Sequence, residues 1–252
     1  MDEAFQANCY YNIILQYRKN IKIYHDEMNY SSAFYSYTFN ALVVATFMEL
    51  AKIYDNHKSA INIIKLMDLC RENLSLFPKQ KEVSINIEGE ETMMKLPYEH
   101  EVKLDEYDFF QKEIESSKLF NKLFSDAEIP IKAEMTIERY FELYKWKYSK
   151  IKPKIENLRK QRNKIYAHND PKSFENMEAI ILDYPLKDSD VESLITFALE
   201  YCQFVIALLT GVNKASEPIN IKDWQNTLKL VQIGSKYHKL EKDTVFIEKN
   251  CD

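Results

Sequence analysis

"FNALVVATFMELA", Phe39 to Ala51, is apolar on nearly every side and holds no glycine or proline. Such a run makes a helix, and a helix apolar all round is expected at the centre of a bundle. Asn40 interrupts it and is expected to be a buried amide with its hydrogen bonds satisfied. "NYSS" at 29–32 supplies N-cap candidates, so the helix runs from there to about Tyr54.

Working outward, residues 2 to about 26 read as a helix with apolar positions such as Phe5, Cys9, Ile13 and Leu15, the first three spaced by four. "DNHKS" breaks the pattern, and a third helix covers about 58–74. The 78–104 stretch differs. In "VSINIEG" Val83, Ile85 and Ile87 alternate with polar residues and Gly89 turns the chain, which suggests a small hairpin or an irregular insertion. Shorter helical stretches follow near 105–124 and from about 134. Pro153 either kinks that last helix or opens a new one. "HNDP", 168–171, stops it. "SDVE", 189–192, reads as a capping box of Ser189 and Glu192. It opens a helix with Val191, Leu194, Ile195, Ala198, Cys202, Val205 and Leu209 on one face, closed by Gly211. A last helix spans about 221–240. The expected fold is all-α, a helical bundle with one insertion at about 78–104. Its main domain covers 1–215, with a C-terminal helical extension over 216–252.

The composition excludes several functions. The chain has only three glycines, Gly89, Gly211 and Gly234. Phosphate-cradling loops, dinucleotide folds and nucleophile elbows all need glycines close together. The four cysteines form no C-x-x-C pair, so no zinc knuckle, thiol redox site or disulfide framework is indicated. His25, His57, His100 and His238 give no H-x-x-x-H arrangement, and no metal or other cofactor is expected. The start "MDEAFQ" does not read as a secretory signal. "ALVVATFM" and "FVIALLTG" are too short to span a bilayer, so a soluble, cytoplasmic protein off the membrane is expected.

The net charge of −5 hides an asymmetry. Lys145 to Lys164 carries nine basic residues and one acid, Glu156, although acids outnumber bases over the whole chain. A basic stripe on an acidic body fits a surface that meets a polyanion; the alternative is a solvated lysine face. Within that window Ile155, Leu158, Arg162 and Ile165 share one helical stripe. A guanidinium on an apolar stripe is costly unless it is paired or lines a cleft. His168 follows six residues later, about 240° round a continuous helix. The two can meet only if the helix ends near 166–168, or across the two-fold axis of a dimer. The spacing alone is a weak signal. The other reading makes Arg159, Lys160, Arg162 and His168 cations that complement a helix C-terminus.

"RNKIYAH", 162–168, resembles the signature of the HEPN superfamily. "LRKQRNKIYAHND", with the earlier "NALVVATFMELAKIYDNHKSAINIIKLM", is similar to its abortive-infection (Abi) branch over about residues 30–210. The resemblance implies a dimeric helical bundle that is often a metal-independent endoribonuclease. By position, Arg162 and His168 would be the catalytic pair, with Asn163 helping to orient them. Asp170 stands where some HEPN toxins carry a tyrosine that a partner nucleotidyltransferase modifies, which puts that control in doubt here.

RNA carries its own nucleophile, the 2′-OH. A histidine of near-neutral pKa serves as base or acid, and an arginine holds the phosphate oxygens. Lys154, Arg159, Lys160 and Lys164 would guide the backbone. Tyr166 or Trp146 would either stack an unpaired base or belong to the core. The expected function is thus a toxin or antiphage-defence ribonuclease acting on RNA. The expected partners are a second copy sharing the active site and an antitoxin or defence-system protein. The alternatives are a catalytically silent HEPN module that binds RNA or a protein partner, and a plain structural bundle with a basic surface.

Overall fold

The structure, a computed structural model, describes residues 1–77, 81–87, 90–96, 125–128, 137–166, 177–210, 214 and 218–249. In chain order the helices are α1 (Asp2–Asn20), α2 (His25–Asn29), α3 (Ser32–Ile53), α4 (Ile63–Glu72), α5 (Ile137–Gln161), α6 (Met177–Asp183), α7 (Asp188–Thr210) and α8 (Asp223–Lys249). Among the described residues a single hairpin interrupts them, with β1 (Lys81–Ile87) antiparallel to β2 (Glu90–Leu96) and Ile87 opposite Glu90. The protein is therefore an all-α bundle with the small hairpin expected in the insertion. The helices expected near 105–124, the Gly89 and Gly211 turns and the "HNDP" stop lie outside the described residues.

The chain forms two compact units. One joins Asp2–Glu49 with Ser216–Asp252; the other comprises Leu50–Ala215 with Met1. In the first, Tyr17, Tyr24, Met28 and Leu228 are buried together. The Tyr17 ring sits 5.3 Å from Phe39 and 5.6 Å from Trp224, at the offset separations aromatic pairs prefer.

The second unit carries the candidate site. Its core is the seam between α5 and α7, zipped by aromatic rings. Tyr144 lies 5.1 Å from Tyr201 and 5.0 Å from Phe204, and Phe141 packs edge-on against Phe77 and Phe204. Pro153 sits within α5 without ending it. Among the described residues one helix, α7, is long and apolar enough to cross a membrane, and half of its apolar window is buried inside the fold. The apolar run is thus longer than "FVIALLTG" alone suggests, and its burial suits the core helix of a bundle.

Several sequence expectations need correction. α3 is not central: Phe34, Tyr37 and Val44 are 64%, 76% and 40% exposed, and Asn40 is exposed rather than a buried amide. All-round hydrophobicity says that a helix can be covered, not that its own chain covers it. Only its C-terminal end, with Leu50 and Ala51, is fully buried, together with Thr46, whose hydroxyl donates to the Leu42 carbonyl at 2.8 Å. α1 ends at Asn20 and buries Ala4, Ala7, Tyr11, Ile14 and Tyr17, not the stripe of Phe5, Cys9 and Ile13, while Leu15 is exposed.

At α7 the cap is Lys187 instead of Ser189. Asp190 reaches back to accept the Lys187 N–H at 2.9 Å, the acidic half of a capping box shifted by two residues. Leu209 is 52% exposed, off the buried face.

Candidate functional site

The site is built where the end of α3, the last turns of α5 and the first turns of α7 meet. Tyr54, just past α3, is fully buried. Its hydroxyl donates to the Leu194 carbonyl of α7 at 2.7 Å. Burial pushes its phenol well up, so the group stays a neutral donor. Its carbonyl accepts from Arg159 of α5, through Nε at 2.8 Å and through a second guanidinium nitrogen. One residue, through its two ends, thus ties three helices together.

The next residue continues the pattern one turn along α5. Asp55 meets Arg162, with Nη2 to Oδ2 at 3.6 Å, while its Oδ1 accepts the His57 N–H at 2.9 Å. Arg162 Nη1 donates to Asn163 Oδ1 at 3.0 Å. The Arg162 side chain is 28% exposed, so the guanidinium is half-sheltered and held at both terminal nitrogens. Arginine has five N–H donors in a planar fork, more than these two contacts use. An oriented, partly desolvated fork suits a phosphate.

Arg162 also marks a change in the backbone. The α-helical pattern stops at Gln161, and Arg162–Tyr166, "RNKIY", forms a π-helical turn. Single π turns are rare and frequently lie at functional sites, because the wider turn re-aims side chains that an α-helix would place elsewhere. The buried stripe of α5 runs through Ile151, Ile155 and Leu158 and ends on Gln161, not on Arg162. Gln161 Nε2 donates to the Tyr184 carbonyl, and Asn157 Nδ2, one turn earlier, donates to the Pro185 carbonyl at 2.9 Å. These two amides clip the segment after α6 alongside the end of α5.

The remaining sequence candidates separate by position. Lys154 faces α7, bonded to Asp190 at 3.1 Å and to the Ser193 hydroxyl at 3.1 Å. Burial by itself would raise the Asp190 carboxyl, but the Lys187 N–H and the Lys154 ammonium hold it below its ordinary value. Arg159, bound to Tyr54, also pairs with Glu156 at 3.1 Å. Lys160 and Lys164 are exposed over the ring of Tyr184, at 5.7 and 4.7 Å from its centroid. Asn163 is exposed. The Tyr166 side chain and all of His168 lie outside the described residues.

Sequence reasoning missed Asp55, Gln161 and Tyr184. Asp55 and Tyr184 are far from the motif in sequence, and nothing local flags either one. Gln161 had a signal: three residues past Leu158, it fits the stripe as well as Arg162 does. Among the described residues no three His, Cys, Asp or Glu side chains gather as metal ligands.

The profile of the HEPN AbiU2 family matches residues 1–227, nearly the whole chain. The chain belongs to the HEPN AbiU2 family. That places it in the abortive-infection branch of the HEPN superfamily. No curated protein and no solved structure matches it significantly.

Proposed function

We propose that this AbiU2-family protein is a metal-independent endoribonuclease in antiphage defence or toxicity, and that Arg162 and His168 cleave RNA with Asn163 orienting the pair. The observation that carries this reading is the π turn that begins on Arg162, whose guanidinium is half-sheltered and held by Asp55 and Asn163. An arginine oriented by two neighbours before any phosphate arrives is the kind of pre-placed donor that transition-state stabilisation uses.

In the proposed reaction a His168 imidazole takes the 2′-OH proton. The 2′-oxygen attacks the adjacent phosphorus, and the extra negative charge develops against Arg162. The P–O5′ bond breaks as the 5′-oxygen is protonated. The products are a 2′,3′-cyclic phosphate and a 5′-OH. Base and acid must be present together, so a single motif histidine per chain favours a homodimer in which two His168 copies divide the roles. The open apolar face of α3, with Phe34, Tyr37 and Val44, supports a chain that takes a protein partner. An antitoxin or defence-system protein is proposed as a further partner.

The test is cleavage of an end-labelled RNA of mixed sequence with EDTA present, followed by end-group analysis. Cyclic-phosphate and 5′-OH ends are expected. RNA binding without cleavage by folded protein would instead assign a catalytically silent HEPN module.

A further inference from the structure

The basic run of α5 divides into two sets. Four cations turn inward or sideways and each meets an acid: Lys147 with Glu200 at 3.0 Å, Lys154 with Asp190, Arg159 with Glu156, and Arg162 with Asp55. The other five, Lys145, Lys150, Lys152, Lys160 and Lys164, are exposed, and no acid partner appears for them among the described residues. Lys145, Lys152 and Lys160 recur at intervals of seven and eight, two helical turns each, so they line one outward stripe. Lys164 lies along its edge, and Lys150, two residues from Lys152 and so about 160° round the helix from it, stands on the far flank. Between Lys145 and Lys164 the only acid in the sequence is Glu156, and Arg159 already holds it. Glu156 is half exposed and stands four residues from both Lys152 and Lys160, so the outward face carries five lysines and one acid that Arg159 pairs, on a chain with more acids than bases.

Aromatic rings stand at both ends of this stripe. Lys150 Nζ lies 5.2 Å from the ring centroid of Trp146, which is partly buried against Tyr140 and Leu143, at one end, and Lys160 and Lys164 lie over Tyr184 at the other. A ring beside an ammonium offers an unpaired base a stacking surface next to a phosphate contact, the combination found in surfaces that bind single strands. A duplex keeps its bases stacked and cannot use such rings.

We infer that the outward face of α5 is a track for single-stranded RNA, leading from Lys145 and Trp146 to the RNKIY turn and Tyr184. This deepens the ribonuclease reading and rests on it for the choice of RNA. The track is about 28 Å long at the helical rise, within the length that roughly 4–16 nucleotides occupy on single-strand surfaces. Lys145, Lys150 and Lys152 are its far end. They hold the strand away from the reacting phosphate and take no part in the chemistry.

The experiment measures binding of labelled RNAs of about 4 and about 16 nucleotides across a salt series. It compares the Lys145→Ala/Lys150→Ala/Lys152→Ala variant with the parent chain, both in a His168→Ala background so that the RNA stays intact. For the longer RNA, the slope of log affinity against log salt should become shallower by about 2, three lost contacts at about 0.7 each for single strands. The shorter RNA, seated at the turn, should bind both proteins alike. With His168 restored, the triple variant should show a raised KM on the longer RNA and an unchanged kcat. An identical slope for both proteins would overturn the track, as would a duplex of the same length binding as tightly as the single strand. A shallower slope alongside a wild-type protein that never cleaves RNA would sink the nuclease reading and leave the track standing.

Discussion

The inward and outward sides of α5 carry the same residue types to opposite ends. Inward cations close the fold: Arg159 grips the Tyr54 carbonyl and Lys154 bridges to α7. Three of the outward cations, Lys150, Lys160 and Lys164, lie over aromatic rings with no acid beside them among the described residues. Arg162 is paired like the inner set, and it stands at the point where the helix widens. A basic run in a sequence is thus not one functional unit. Its helical phase decides which cations are structural and which are free for a polyanion.

The sharpest way to break this contrast is on the inner side. Arg159→Ala should remove about 1–3 kcal/mol of stability, because it strips the buried Tyr54 carbonyl of its donors. Chemical denaturation measures this, and an unchanged midpoint would erase the distinction between the two faces. Asp55→Asn comes next. It should leave stability within about 1 kcal/mol, as expected for a partly exposed ion pair, and lower kcat about tenfold, or about 1.4 kcal/mol in the barrier, with little change in KM. A matching fall in the melting temperature would make Asp55 a structural residue instead of one that positions Arg162.

Smaller still is the pH effect at the Lys154–Asp190 bridge. The folded-state pKa of Asp190 is depressed, so its stabilisation is present above the unfolded value and is lost as pH falls through the folded one. Asp190→Asn should therefore lose less stability than wild type on acidification from neutral pH to below about 3.9; parallel losses would contradict the assignment. The gentlest change is the outward pair Lys160→Ala/Lys164→Ala. Stability should move by no more than about 0.5 kcal/mol, while the salt slope of RNA binding becomes shallower by about 1.4.

Much of this architecture was legible before any coordinates. Helix-forming composition, the 3.6-residue period and the alternation at 83–87 pointed to an all-α bundle with a hairpin, and the RNKIYAH signature pointed to the family. What escaped was phase and partnership. Two stripes of α1 satisfy the same period, and the structure buries the one that contains Ala4 and Ala7. Periodicity counts apolar residues but does not register that small side chains permit the closest approach. α3 was read as central because hydrophobicity reports a need for cover and not who supplies it. At the site, Arg162 stood out as a charge on an apolar stripe, but Asp55, more than a hundred residues earlier, had no local signal. The π turn was equally hidden, since no propensity distinguishes it from the α-helix it continues.

The measurement that bears most directly on the central claim is RNA cleavage in EDTA by wild type and by His168→Ala, with circular dichroism confirming that both are folded. Loss of a general acid–base group costs about 10²–10⁴-fold, so His168→Ala should fall at least a hundredfold below a wild type that leaves cyclic-phosphate ends. Equal cleavage by the two proteins would contradict the account.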